Sequence, residues 1–119
     1  MPPVHYSVEM HVRGGTTLEE HLAEIDPITT IKSENWDVVF LQDASMMPFR
    51  SAYVASMKRS TRELAHVAQL QGAQAMYFSH WALGYEGLDK RSAVQKTERT
   101  YALIAQQTGG TIAKAGRLW

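Results

Sequence analysis

The sequence predicts an α/β protein whose sheet is parallel and covered by helices. Segments with strand-like and helix-like patterns alternate along the 119 residues in the order β-α-β-α-β-α-β. Strands that alternate with helices are joined by right-handed crossovers, which place the strands parallel to one another. In addition, the segment Asp37–Leu41 is apolar after its first residue, as in strands that are buried on both faces.

The first half of the chain begins with a strand-like segment and continues into a short helix. Apolar and polar residues alternate from Val4 to Val12, which predicts a half-buried strand near an edge of the sheet. Gly14-Gly15 ends this strand, and a following threonine can cap a helix that continues to about Ile25. We expect Asp26-Pro27 to end that helix. The apolar face of the strand consists of Tyr6, Val8, Met10 and Val12.

The rest of the chain supplies the buried strand, two long helices and two further strands. The second strand is Asp37–Leu41, and a helical pattern then extends from Pro48 to about Gln71. A third strand is predicted at Gln74–Ser79, a helix at Ser92–Gln107 and a last strand at Thr111–Ala115.

Composition limits the functions that the chain can have. A length of 119 residues predicts a single domain, residues 1–119, and 45% apolar against 20% charged residues is typical of a globular protein. Twelve basic and twelve acidic residues cancel, so we expect no nucleic-acid and no membrane partner. The chain has no cysteine, which excludes disulfides and thiol catalysis. No signal peptide or membrane-spanning run is visible, so a cytoplasmic location is expected.

Polar residues follow three of the predicted strands. In a parallel sheet the carboxyl ends of the strands meet at one rim, where open α/β sheets carry their active sites. A Gly-Gly turn can bind an oxyanion with its backbone N–H groups, a glutamine can donate its amide N–H, and a histidine can move a proton near neutral pH. The residues are Arg13, Gly14 and Gly15 after the first strand, Gln42, Asp43 and Ser45 after the second, and Ser79, His80 and Trp81 after the third.

Three segments of the chain resemble the SGNH (GDSL-type) hydrolase family. They are Gly14–His21, Trp36–Ser45 and Met76–Trp81, and the second contains the string Trp-Asp-Val-Val-x-Leu-Gln-x-x-Ser. The resemblance covers nearly the whole chain and implies a flavodoxin-like, three-layer α/β/α fold with a parallel sheet. It also implies that one of the two glycines at positions 14 and 15, together with Gln42, donates hydrogen bonds to an oxyanion.

Two blocks of the family are missing from this sequence. The resemblance implies an opening Gly-Asp-Ser or Gly-Asn-Ser block with the nucleophilic serine, and a closing Asp-x-x-His block with the general base, and neither is present. We therefore expect a truncated core with about four strands, incomplete relative to the full SGNH fold. The family's missing first strand would leave the edges of Val4–Val12 and Asp37–Leu41 unpaired. Because exposed edges are templates for association, we expect a homodimer formed through them.

The leading functional hypothesis is a hydrolase-type protein that acts on an acyl or related ester at a partial or rebuilt active site on the rim. Ser45 is the candidate nucleophile, His80 the candidate base and Asp43 the candidate orienting carboxylate, because serine needs such a base at neutral pH. The candidate oxyanion donors and substrate-contacting residues are Gly14, Gly15, Gln42 and Trp81. The expected ligand is a small-molecule ester, with no cofactor.

Two alternatives remain open. The absence of both family blocks favours a non-catalytic remnant of the SGNH fold that is stable as an oligomer. A metal-assisted hydrolase would instead replace the missing triad with histidines. Its candidate ligands for a divalent cation such as zinc are His11 and His21.

Overall fold

Three short parallel strands form the sheet, and together with the helices they confirm the predicted α/β class. The structure is a computed structural model that describes residues 3–48, 50–80 and 89–118. The strands are β1 (Val38–Leu41), β2 (Gln74–Phe78) and β3 (Thr111–Ala113), in the spatial order β1-β2-β3. Both neighbouring pairs of strands are parallel.

Four α-helices precede and connect the strands. Their bounds are α1 Leu18–Ala23, α2 Ile25–Ser33, α3 Ser51–Leu70 and α4 Lys90–Thr108, and a short 3-10 helix follows at Ala115–Leu118. As predicted, α3 connects β1 to β2 and α4 connects β2 to β3. No helix in the described part of the chain is long and apolar enough to cross a membrane.

The first helical region consists of two helices rather than the single helix predicted. Thr17 caps α1, because its hydroxyl accepts a hydrogen bond from the Glu20 N–H (3.1 Å) while the Glu20 carboxylate accepts one from the Thr17 N–H (3.2 Å). Glu24 is extended and separates α1 from α2. The prediction that Asp26-Pro27 ends a helix is wrong, since Pro27 lies in the first turn of α2. Proline is tolerated there because the first N–H groups of a helix have no partner within it.

The helices pack on one face of the sheet. Alternate strand residues point to that face, and all four helices contribute side chains to the same apolar core. Its largest members are Leu18 of α1, Ile31 of α2, Met57 and Leu64 of α3, Tyr101 and Ile104 of α4, Leu41 and Tyr77 of the sheet, and Met47 of the loop after β1. Burying side chains of this size contributes about 1.5–3 kcal/mol each. The described residues therefore form two layers, helices and sheet, of the three that the resemblance implies.

The opposite face of the sheet contributes nothing to this core. It carries Val38, Phe40, Met76 and Phe78, which alternate with the core-facing residues along β1 and β2. Phe40, on the edge strand β1, is 61% exposed. The outer edges of β1 and β3 have no strand partner among the described residues, so their outward N–H and C=O groups are free to pair.

The segment Val4–Val12 is not a strand. It adopts no regular secondary structure, and its five apolar side chains are between 70% and 85% exposed. The segment contacts the α2 region instead, where His11 hydrogen-bonds to Thr30 (2.8 Å) and Arg13 pairs with Glu24. The prediction of a strand is wrong because a strand is stable only beside others, and within the described residues no edge pairs with this segment. The sheet accordingly has three strands rather than about four.

Gly110 sets the distance at which the end of α4 approaches β2. Gly109 ends α4 in the left-handed region (φ 72°), and the chain then turns into β3. A Cβ atom at Gly110 would lie 2.7 Å from Tyr77 Cε2 and 2.9 Å from the Ala75 carbonyl oxygen. Both distances are shorter than van der Waals contact, so only glycine fits here without movement of β2.

Replacing Gly110 with alanine is expected to lower the free energy of unfolding by about 1–3 kcal/mol, because overpacking displaces the buried Tyr77 ring or β2 itself. Urea unfolding followed by circular dichroism measures the loss. Gly14→Ala is the matched control, since a Cβ at Gly14 meets nothing within 4 Å. An equal loss in both variants would show that the close approach is not the cause.

The free edge of β1 and the exposed Val4–Val12 segment predict that two copies of the chain associate. When this segment of one copy pairs along the β1 edge of the other copy, its apolar side chains can lie beside Phe40 on the outer face of the sheet. We expect light scattering coupled to size exclusion to give twice the 13.4 kDa of one chain at micromolar concentration. A folded monomer at that concentration would contradict the dimer.

Val8→Lys is expected to convert the dimer into a folded monomer. Val8 is 74% exposed in the single chain, so the substitution spares the fold, but an unpaired ammonium is costly in an apolar interface. Ser7→Lys, on the other side of the same segment, adds the same charge and should leave the dimer intact. Dissociation by both variants, or by neither, would place the interface elsewhere.

Candidate functional site

The carboxyl end of β1 is organised around the buried side chain of Asp43. The residue is 2% exposed and lies just beyond Leu41, the last residue of β1. Asp43 Oδ1 accepts a hydrogen bond from the N–H of Leu18, the first residue of α1 (3.0 Å), and another from the Ala44 N–H (2.8 Å). The Asp43 carboxylate therefore holds the N-terminus of α1 against the carboxyl end of the sheet.

Tyr101, from α4, contacts the same loop from the other side. Its hydroxyl oxygen accepts a hydrogen bond from the Asp43 N–H (2.9 Å), and its side chain is fully buried. Burial raises the pKa of Tyr101 well above its ordinary value, so the phenol stays neutral. A neutral phenol keeps an O–H donor in addition to the lone pair that Asp43 uses.

His80 completes a buried polar cluster at this rim. It follows Ser79 beyond the end of β2, and only 2% of it is exposed. The His80 ring meets the Tyr101 ring edge-on, with ring centroids 5.7 Å apart and an angle of 88° between the planes. We call Asp43, His80 and Tyr101 the rim cluster. It joins the carboxyl ends of β1 and β2 to the middle of α4.

The electrostatic setting of Asp43 combines burial with partial hydrogen bonding. Burial raises the pKa of Asp43 above its ordinary value, and the N–H groups of Leu18 and Ala44 and the nearby His21 oppose this rise without cancelling it. Asp43 Oδ2 has no hydrogen-bond partner among the described residues. One carboxylate oxygen thus has a structural role, and the other remains for a ligand or a proton donor.

Gln42 and Ser45 lie at the same rim but are exposed. Gln42 directly follows β1, and Ser45 lies in the turn after Asp43. Within the described residues, neither side chain forms a hydrogen bond to Asp43 or His80. The structure therefore places the candidate nucleophile near the rim without joining it to the candidate base. Trp81 lies outside the described residues.

Gly14 and Gly15 form an exposed turn just before α1. The Thr16 N–H donates to the Arg13 carbonyl to close the turn (3.1 Å), and Gly15 adopts a positive φ of 73°. The turn does not end a strand, contrary to the prediction, because the preceding segment is not in the sheet. It is connected to the rim through Leu18, whose N–H contacts the Asp43 carboxylate.

The two histidines considered as metal ligands occupy different settings. His11 lies on the exposed N-terminal segment and hydrogen-bonds to Thr30, whereas His21 lies in α1 near Asp43. In residues 3–48, 50–80 and 89–118, no group of three or more His, Cys, Asp or Glu side chains is placed to hold a metal ion.

The fold matches that of a solved structure described as a putative SGNH hydrolase from Slackia heliotrinireducens. The match has a TM-score of 0.69 at 25% sequence identity and covers 84% of this chain and 60% of that chain. This chain thus spans 60% of the length of the structure that it matches. No protein-family model and no curated protein matches the sequence. The protein therefore has an SGNH-like α/β fold with a three-stranded parallel sheet.

Tyr101 and the Leu18 amide are the parts of the rim that sequence reasoning misses. The helical pattern places Tyr101 on the buried face of α4, and a buried phenol needs a hydrogen-bond partner, but the pattern does not name that partner. Leu18 contributes only its backbone N–H to the site, and no side-chain pattern reveals such a contact.

Asp43→Ala is expected to lower the free energy of unfolding by about 1–3 kcal/mol, because the buried N–H groups of Leu18 and Ala44 lose their acceptor. Asp43→Asn keeps an accepting oxygen and should lose less. Urea unfolding measures both variants. Equal losses in the two variants would show that the hydrogen bonds to Leu18 and Ala44 are not what Asp43 contributes.

The pH dependence of stability tests the raised pKa of Asp43. A raised pKa means that the folded chain binds this proton more tightly than the unfolded chain does. The stability of the wild type relative to Asp43→Asn should therefore rise as the pH falls from neutral towards 3.8, the ordinary pKa of the group, and should decline as the pH returns to neutral. A difference that shrinks on acidification would indicate a lowered pKa.

Proposed function

We propose that the protein is a hydrolase that acts on an acyl or related ester at the C-terminal rim of its sheet. The observation that carries the proposal is the rim cluster, in which Asp43 and His80 both contact Tyr101 beyond the ends of β1 and β2. Open parallel sheets carry their chemistry at this place. The likeness to the Slackia heliotrinireducens protein supports the same class of function.

In this proposal Ser45 is the nucleophile and His80 is the general base. His80 accepts the proton of the Ser45 hydroxyl as the oxygen attacks the ester carbonyl, and it then donates that proton to the leaving alcohol. A water molecule, deprotonated by His80 in turn, releases the acyl group as an acid and restores Ser45. Asp43 provides negative charge that stabilises His80 while it is protonated.

The proposal requires the turn that carries Ser45 to move towards His80 when the ester binds. Ser45 is exposed and His80 is buried, and no hydrogen bond joins the two side chains within the described residues. Hydrogen bonds between catalytic groups are often long or absent without substrate and form in the complex.

The oxyanion of the tetrahedral intermediate needs hydrogen-bond donors near Ser45. The side-chain amide of Gln42, exposed at the end of β1, is one proposed donor, and the backbone N–H groups of the Gly14-Gly15 turn are the others. Removing one such donor from an enzyme costs about 3 kcal/mol of transition-state stabilisation. Trp81 is proposed to contact the substrate. This ester hydrolysis needs no cofactor.

One observation favours a second candidate, a non-catalytic protein that functions by binding. Asp43 Oδ1 is occupied in holding α1, and no hydrogen bond within the described residues joins Ser45 to the rim cluster. In that case the rim cluster stabilises the fold only. The protein would then turn over no ester, phosphoester or glycoside chromogen above the rate in buffer.

Ester hydrolysis by point variants distinguishes the two candidates. With p-nitrophenyl acetate, Ser45→Ala and His80→Ala are each expected to lower kcat/KM by at least about 100-fold, because each removes one half of the nucleophile–base pair. The matched controls are Ser7→Ala and His66→Ala, which change the same residue types at exposed positions away from the rim and should retain the wild-type rate.

Ser45→Ala is the decisive variant, because Ser45 is exposed and its loss leaves the core intact. Circular dichroism verifies that His80→Ala, at a buried position, is still folded. Equal rates in the wild type and in Ser45→Ala would sink the assignment of the nucleophile. No turnover by the wild type itself would favour the binding protein.

A further inference from the structure

A basic groove lies between α3 and α4. Its volume is about 720 Å³, and Lys58, Arg59 and Arg62 of α3 and Lys96 of α4 line its walls. These four residues are a third of the twelve basic residues in a chain whose formal net charge is zero. No carboxylate lines the groove within the described residues. The lining of the groove is therefore basic, although the chain as a whole carries no net charge.

Three of the four cations form no ion pair with any residue that the structure describes. Arg59 pairs with Glu19 of α1 at 3.3 Å, but both side chains are more than half exposed, and such pairs are weak. Lys58, Arg62 and Lys96 form no ion pair within the described residues. The basic groups thus remain for an anion from outside the chain.

The cations of the groove are close enough in the fold to repel one another. Lys58 and Arg62 lie one helical turn apart on α3, so their Cβ atoms are about 5–6 Å apart and their like charges destabilise the helix. The Arg62 Nε–H donates to the Lys58 carbonyl (3.2 Å), which holds the guanidinium along the surface of α3. Lys96, on α4, lines the same groove. A bound anion would relieve the repulsion of all three groups at once.

Apolar residues line the groove as well as basic ones. Val54, Ala55 and Pro48 line it beside the cations. The Thr100 hydroxyl donates to the Pro48 carbonyl at 2.6 Å, which ties the loop before α3 to α4. A ligand with one charged and one apolar part matches both surfaces.

We propose that this groove binds a phosphate monoester with an apolar body. The phosphate lies between Lys58, Arg62 and Lys96, because a guanidinium matches phosphate oxygens in pairs and the ammonium groups add charge. The apolar body lies along Val54 and Ala55. The groove is separate from the rim cluster, so the proposal does not depend on the hydrolase function.

Isothermal titration calorimetry with n-hexyl phosphate and with inorganic phosphate tests the proposal directly. The expected result is saturable binding of one n-hexyl phosphate per chain, tighter than the binding of inorganic phosphate because the hexyl chain covers the apolar residues of the groove. Arg62→Gln is expected to weaken the binding of n-hexyl phosphate about tenfold, since it removes charge-assisted hydrogen bonds to the phosphate.

Arg91→Gln is the matched control. It removes the same charge from the first turn of α4, at an exposed position that does not line the groove, and it should leave the affinity within about twofold of the wild type. The proposal is overturned if the wild type shows no saturable binding, if the two phosphates bind equally, or if Arg91→Gln weakens binding as much as Arg62→Gln. Because binding is measured without turnover, an inactive Ser45→Ala variant has no bearing on this result.

Discussion

The arrangement of the rim depends on the buried carboxylate of Asp43. A helix as short as α1 is not stable alone in water, and it persists here because Thr17 caps it, Leu18 is buried and Asp43 accepts its first N–H. The Asp43 N–H is in turn fixed by Tyr101 of α4. Asp43 thus joins the end of β1 to α1, which precedes it in the sequence, and to α4, which follows it. Any chemistry at the rim therefore depends on the same contacts that stabilise the fold.

The turn that carries Ser45 is held at both ends. Asp43 anchors the start of the turn. At its other end Met47 is buried and donates its N–H to the Ala44 carbonyl (2.9 Å). Pro48, the next residue, accepts a hydrogen bond from Thr100 through its carbonyl. Ser45 and Met46 lie between these two anchored ends. The adjacent residues Thr100 and Tyr101 of α4 therefore determine both the position of the turn and the geometry of the buried cluster, while Lys96, one turn earlier, faces the basic groove.

The order of the helices and strands from residue 37 onward follows from the sequence, because buried strands and long amphipathic helices have strong periodic patterns. The predictions that are wrong concern segments whose pattern does not determine what they pair with or pack against. Alternation at Val4–Val12 predicts a strand, but pairing depends on a neighbouring edge that the segment itself does not encode. Pro27 is compatible with both the end and the first turn of a helix.

At the site, strand ends bring Asp43 and His80 to one rim as the pattern predicts, whereas the contacts through Tyr101 and Leu18 arise from packing between distant segments.

The packing of both connecting helices on one face also bears on how the chain folds. The strands β1, β2 and β3 are neighbours in space in the order of the sequence, but each parallel pairing closes a loop that contains a whole helix, α3 or α4. Parallel pairings of this kind form more slowly than hairpins, because the entropy of loop closure is lost before the strand contacts form. Formation of the core therefore depends on these two crossovers. The N-terminal segment adds no side chain to that core, so the core can assemble without it.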